Sequence, residues 1–279
     1  MEVSREKWKI FKRFALYTTI IIAIILVCFP LIYALIISTR DLQGTFRFPP
    51  NLMPGTSIVS TYSQAWNTVN LGRLMLNSGI VAISTSVIKI GLAMLAAFAI
   101  VFFDFKGKYI AFGATFLTQL LPVPVKIVPT FELMKNFGWV DTYYALTFPY
   151  FATATGTFLF RQFFLSVPTD LVDAARMDGC SPMKFLKDIL IPLSWNNMGA
   201  LFLVEFVYMW NRYLWPLVVT ESESMRVSQI GIKMLMTTGS INKWNIIMAG
   251  AVIALLPPLV VLLFLQKTFI EGFVMRTGK

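Results

Sequence analysis

"DAARMDGCSPMKFLKDILIP", residues 173–192, is charged and full of small residues in a chain that is otherwise apolar. It reads as two short helices joined at a glycine. Pro168 ends whatever precedes it, and Thr169 or Asp170 is placed to cap a first helix over about 170–178. That helix presents Leu171, Val172, Ala174 and Ala175. Gly179 supplies the left-handed turn that ends it, because a residue without Cβ takes positive φ at no steric cost. Ser181 then caps a second helix, and Pro182 takes its first position, where a missing N–H is harmless. Phe185, Leu186, Ile189 and Leu190 share one face, with Lys184, Lys187 and Asp188 on the other. Pro192 is expected to stop it. Each helix is only about 12–15 Å long, against a hydrocarbon core of about 30 Å. The pair is therefore a compact knob, or an amphipathic loop lying on lipid headgroups, but not a span.

Its surroundings are greasier. Of 279 residues, 57% are hydrophobic and 14% charged, where a soluble domain carries about 25% charged residues. Residues 15–38 hold no charge and are long enough to cross a bilayer. Lys7, Lys9, Lys12 and Arg13 precede them. The run exceeds the roughly 7–15 residues of a signal core, and no small-x-small site follows, so it reads as an uncleaved anchor. Five further spans follow at 78–102, 109–134, 143–164, 197–219 and 246–265. The third is the least regular: "LPVPVKIVP", residues 121–129, carries Pro122, Pro124 and Pro129, which should break the helix. Broken backbone at membrane depth survives only against protein or a water-filled cavity.

Lys and Arg concentrate in the N-terminus, the 103–108 and 165–196 loops and the C-terminus, with fewer in the opposite set of loops. The richer side is cytoplasmic by the positive-inside rule, so both termini and the 173–192 knob are expected inside. The net charge of +10 is thereby assigned to anionic lipid rather than nucleic acid. On the outer side, the proline-rich 40–73 loop and a short helix ending at Gly239 are expected.

Several chemistries are excluded. There is no histidine, and Cys28 and Cys180 lie far apart, so no metal site, disulfide framework or cofactor is expected. No G-x-x-x-x-G-K-[ST] occurs, so the chain has no phosphate cradle for ATP. Charge inside a bilayer is expensive, which makes Lys89, Lys126, Glu132, Glu205 and Arg212 suspects. Glu205 and Lys89 read most simply as ion-pairing residues that stabilise the bundle. Lys126 sits in the proline-broken segment, and Arg212 in "WNRYLW" with Trp210, Asn211, Tyr213 and Trp215. That set suits sugar stacking and phosphate clamping, although an interfacial aromatic belt is the plainer reading. Lys126, Asn211 and Arg212 are carried forward as candidate cavity residues.

Asp173-Ala174-Ala175, three residues, Gly179, nine residues and Ile189-x-Ile191-Pro192 resemble the "EAA" signature of importer-type ABC permeases. Asp stands for the usual Glu, and Ile for the Leu before the proline. "FLFRQFFLSVPTDLVDAARMDGCSPMKFLKDILIPLS", "YMWNRYLWPL" and "KTFIEG" extend the likeness to the second membrane subunit of carbohydrate-type importers, including those for glycerol 3-phosphate, over nearly the whole chain. The resemblance implies an all-α polytopic membrane protein with six transmembrane helices, the type I ABC importer permease fold with cytoplasmic coupling helices. It implies a cytoplasmic segment at 1–14, a first span and outer loop at 15–70, a permease core at 71–268 with coupling helices at 169–192, and a cytoplasmic tail at 269–279. Asp173, Ala174, Ala175, Asp178, Gly179, Ile189 and Pro192 would then meet an ATPase. The implied partners are a second homologous permease, two cytoplasmic ATP-binding subunits and an extracytoplasmic solute-binding protein, in the inner membrane. The implied solute is a phosphorylated polyol, with a neutral sugar or oligosaccharide as the alternative; an ion-coupled secondary transporter would want more interior acids than this chain has.

Overall fold

The computed structural model describes residues 2–120, 122–237 and 243–273, and among them every regular element is helical. Three helices contain apolar stretches long enough to cross a membrane: α1 (Glu2–Ser38), α4 (Leu71–Phe102) and α15 (Trp244–Phe273). A fourth apolar run is a bent pair, in which 182–193 and α12 (Trp195–Trp210) meet at 74°.

The remaining apolar segments are broken. Proline breaks the third as expected, into α5 (Lys108–Leu120) and α6 (Val123–Asn136), with Pro122 immediately before α6. The fourth is also broken, which hydropathy alone does not reveal. There α7 (Tyr143–Thr147) passes through a 3-10 turn at Phe148–Tyr150, containing Pro149, before α8 (Ala154–Leu165) begins on a Thr153 cap. The fifth stops at Trp210 and resumes as α13 (Leu214–Val219), leaving residues 211–213 outside both helices.

The chain divides into two compact units. In the unit formed by residues 1–71 and 232–254, Arg40 organises the loop that follows α1. Its side chain is buried and donates to the carbonyls of Gly44 and Met53, while its own carbonyl accepts from Thr61 Oγ1 and Asn245 Nδ2. The loop also holds α2 (Leu42–Thr45) and α3 (Ile58–Thr68), the latter tied to the end of α1 by Tyr62 and Ser38, 2.9 Å apart. The apolar stretch of α1 is almost entirely uncovered within the chain. The expected helix near Gly239 is α14 (Ser228–Thr237); Gly239 itself lies outside the described residues.

The other unit, residues 72–231 and 255–279, holds two apolar clusters. One joins Ile90, Ala97 and Phe98 of α4 to Phe160 and Phe164 of α8, Leu201 of α12, and Phe185, Leu186 and Leu190. Helices approach closely beside it: a Cβ on Gly156 would stand 2.9 Å from Leu201 and 3.0 Å from Ala93. The second cluster packs Val81 and Ala82 against Met134, Leu146, Phe206, Trp210 and Trp215.

Candidate functional site

The knob is built as its sequence dictates. α9 (Thr169–Met177) ends at Gly179, which has φ +69°. The Gly179 amide donates to Arg176 O at 3.0 Å and the Cys180 amide to Ala175 O at 2.9 Å, the paired bonds of a Schellman close. The helix starts without a side-chain cap, on Pro168, rather than on Thr169 or Asp170. Ser181 does cap α10 (Pro182–Phe185), accepting from the Lys184 amide at 3.4 Å. Pro192 does not stop this helix. A π turn over Leu186–Leu190 is followed by α11 (Ile191–Leu193), so the helical path continues past the proline. The break comes at Ser194, whose buried hydroxyl donates to Leu190 O at 2.6 Å.

The two faces separate by burial. Ala175, Phe185, Leu186 and Leu190 are buried in the first cluster, with Val172 and Ile189 packed against it. Asp173, Ala174, Arg176, Asp178, Gly179, Lys184, Lys187, Asp188 and Pro192 are exposed, and Met177 is 86% exposed. Asp173 lies 3.6 Å from Arg176 on the same helix. All seven coupling candidates thus lie within one helix-turn-helix or at its exit; five are exposed, while Ala175 and Ile189 face the cluster.

Beyond the bend, α12 carries a polar chain. Lys89 of α4 pairs with Glu205 at 2.6 Å, both side chains buried. Thr153 Oγ1 donates to the other Glu205 oxygen at 2.9 Å and accepts from the Gly156 amide at 3.2 Å. One carboxylate therefore ties α4 and α12 to the break before α8. The Lys89 ammonium also lies 5.4 Å from the Tyr208 ring centre. One turn on, Arg212 donates to Tyr208 Oη at 2.7 Å, and its guanidinium stacks on Tyr150 at 3.5 Å.

Tyr208, Asn211, Arg212 and Tyr213 form the polar end of a cavity of about 970 Å³. The rest is apolar, from Leu203, Val204 and Val207 on α12 and Leu255, Leu259 and Leu262 on α15. Asn211 and Arg212 are brought together here; half-buried Lys126, on α6, does not line this cavity. Trp210 and Trp215 are not belt residues. They are 3% and 2% exposed, and the Trp215 indole donates to Ala145 O at 2.9 Å. Lys89 and Glu205 are both ion-paired as the sequence suggests, although the sequence does not name them as each other's partner. The tyrosines facing Arg212 were not anticipated, although Tyr208 and Arg212 stand one helical turn apart.

The fold is that of an ABC importer's membrane part. A bacterial ABC transporter involved in the import of the acidic polysaccharide alginate superposes with a TM-score of 0.80 at 19% identity, covering 92% of this chain and 97% of that one. The chain belongs to the family of binding-protein-dependent transport system inner membrane components, whose model matches residues 89–273. With its apolar helices, it is a multi-pass membrane permease. The sn-glycerol-3-phosphate transport system permease protein UgpE of Salmonella choleraesuis is 42% identical over 265 residues, which span 92% of this chain and 94% of that one. The protein of the same name from Rhizobium meliloti is 43% identical over 263 residues, 91% and 93% of the two chains.

Proposed function

We propose that the chain is the membrane-spanning permease subunit of an ATP-driven importer and forms half of the path for glycerol 3-phosphate or a related phosphorylated polyol. The observation that carries this reading is the 42% identity along 92% of the chain to a permease named for that solute. A solved alginate ABC transporter in complex with a pentasaccharide-bound periplasmic protein, of the same fold, supports delivery by a soluble binding protein. The remaining partners are a second homologous permease and two cytoplasmic ATP-binding subunits.

In this reading the apolar segments make six membrane crossings, with both termini and the 169–192 knob in the cytoplasm. The chain has no phosphate cradle, so the work of ATP arrives mechanically. The exposed side of α9 and the Gly179 turn receive the ATPase. Phe185, Leu186 and Leu190 pass the displacement into the α4–α8–α12 cluster. α12 carries it past the Ser194 bend to Arg212, where inward and outward states differ. Asn211 and Arg212 line the solute path, and Lys126 of the proline-broken segment, which lies outside their cavity, is assigned to another stretch of it.

The test is uptake of labelled glycerol 3-phosphate into proteoliposomes holding the complete importer and its binding protein. ATP-dependent accumulation is expected. Accumulation of a neutral sugar with no uptake of the phosphate ester would overturn the solute assignment.

A further inference from the structure

Glu205 of α12 and Arg212, just past the end of that helix, lie seven residues apart, a spacing that in a continuous helix would stack an acid and a base two turns apart. The structure does not pair them. Glu205 is engaged on both oxygens, by Lys89 at 2.6 Å and Thr153 at 2.9 Å. Arg212 has no carboxylate partner among the described residues. Its contacts are neutral: the Tyr208 hydroxyl and two tyrosine ring faces, with a buried Nε that lacks a hydrogen-bond partner. It stands at the polar end of a large apolar cavity.

We propose that Lys89 is a positioning residue for anion recognition. By closing Glu205 into a buried pair, it withholds the nearby carboxylate from Arg212 and leaves that guanidinium to the phosphate end of the solute. This rests on the reading that Arg212 lines the path of an anionic solute. Two cations and one acid leave a net positive charge beside the cavity. A guanidinium held by tyrosines keeps donors for a phosphate monoester, the geometry arginine favours. Removing the lysine leaves an unmatched carboxylate in a low-dielectric region, where its field reaches Arg212 with little screening.

The experiment measures apparent KM and maximal rate for glycerol 3-phosphate with the complete importer in proteoliposomes, per mole of assembled complex. Lys89→Met is expected to raise KM about tenfold or more, because an interior carboxylate competes with the solute. Glu205→Gln is expected to leave KM within about threefold of the parent, since it removes the competing charge and keeps Arg212. A merely structural pair behaves differently: each single change strands a buried charge, and both variants fail alike. Equal damage from the two would overturn the proposal, as would an unchanged KM in Lys89→Met. If Lys89→Met does not assemble, Glu205→Gln still decides, because a tenfold rise there contradicts the assignment. A third arm separates this proposal from its premise. In Arg212→Gln, KM should rise, and adding Lys89→Met should raise it no further. A further rise makes Lys89 structural. An Arg212→Gln importer with parental KM shows that the solute path itself was misplaced.

Discussion

Gly179 turns the chain at φ +69°, and nothing stands within 4 Å of where its Cβ would be. Substitution there therefore strains the backbone without creating a clash. Gly179→Val should separate ATP hydrolysis from uptake, because a β-branched residue resists this conformation, at about 1–2 kcal/mol. Gly179→Asn should retain most coupling, since asparagine visits the left-handed region more readily. The ratio of solute moved to ATP hydrolysed reads both. Asp141 also has positive φ, and its carboxylate accepts from the amides of Glu221 and Ser222 at 3.0 and 3.1 Å. Partial burial acts to raise its pKa, but the Ser222 side chain, those two amides and the charge of Arg226 together hold it below the ordinary 3.8. A depressed folded-state pKa contributes stability above 3.8 that is lost as pH falls through the folded value. The thermal stability of Asp141→Asn should thus lie below the parent at neutral pH, and the gap should close as pH falls below 3.8. A gap independent of pH would mean that the carboxylate's charge does not matter.

At the scale of elements, the knob works only if it is stiffly joined to the spans. Phe185 is the joint: it is 6% exposed and packs edge-on against Phe102, with ring centres 5.5 Å apart. Phe185→Ala should cost about 3–5 kcal/mol locally and lower uptake while the ATPase subunits still hydrolyse ATP. Loss of both activities together would mean disassembly. This joint was legible in the sequence, because Phe185, Leu186, Ile189 and Leu190 sit at helical spacing behind a Ser-Pro start. So was the break at Pro122, where proline removes a donor whatever its surroundings. The breaks at Phe148–Tyr150 and at 211–213 were not. Apolar composition continues through the first and closes around the two polar residues Asn211 and Arg212 at the second, and hydropathy reports transfer free energy rather than helical continuity. Pro192 misled for a related reason: the π turn before it shifts the bonding pattern, so a residue that normally ends a helix is absorbed.

For the whole molecule, the sequence disclosed a membrane chain with a helix-turn-helix at 169–193 and no ATP-binding motif, and marked Arg212 as a suspect. It did not place Tyr150 under Arg212 or Thr153 on Glu205, because those partners lie 62 and 52 residues away and meet only through the broken fourth segment. In the proposed importer, an exposed turn seated in an ATPase receives force, and a buried polar chain meets the solute. Met177, 86% exposed on α9, offers the direct test. With Cys28 and Cys180 replaced, Met177→Cys should cross-link to the ATP-binding subunit in the assembled importer, with a yield that changes on adding ATP and vanadate. Cross-links to lipid reagents alone, unaffected by nucleotide, would contradict the account.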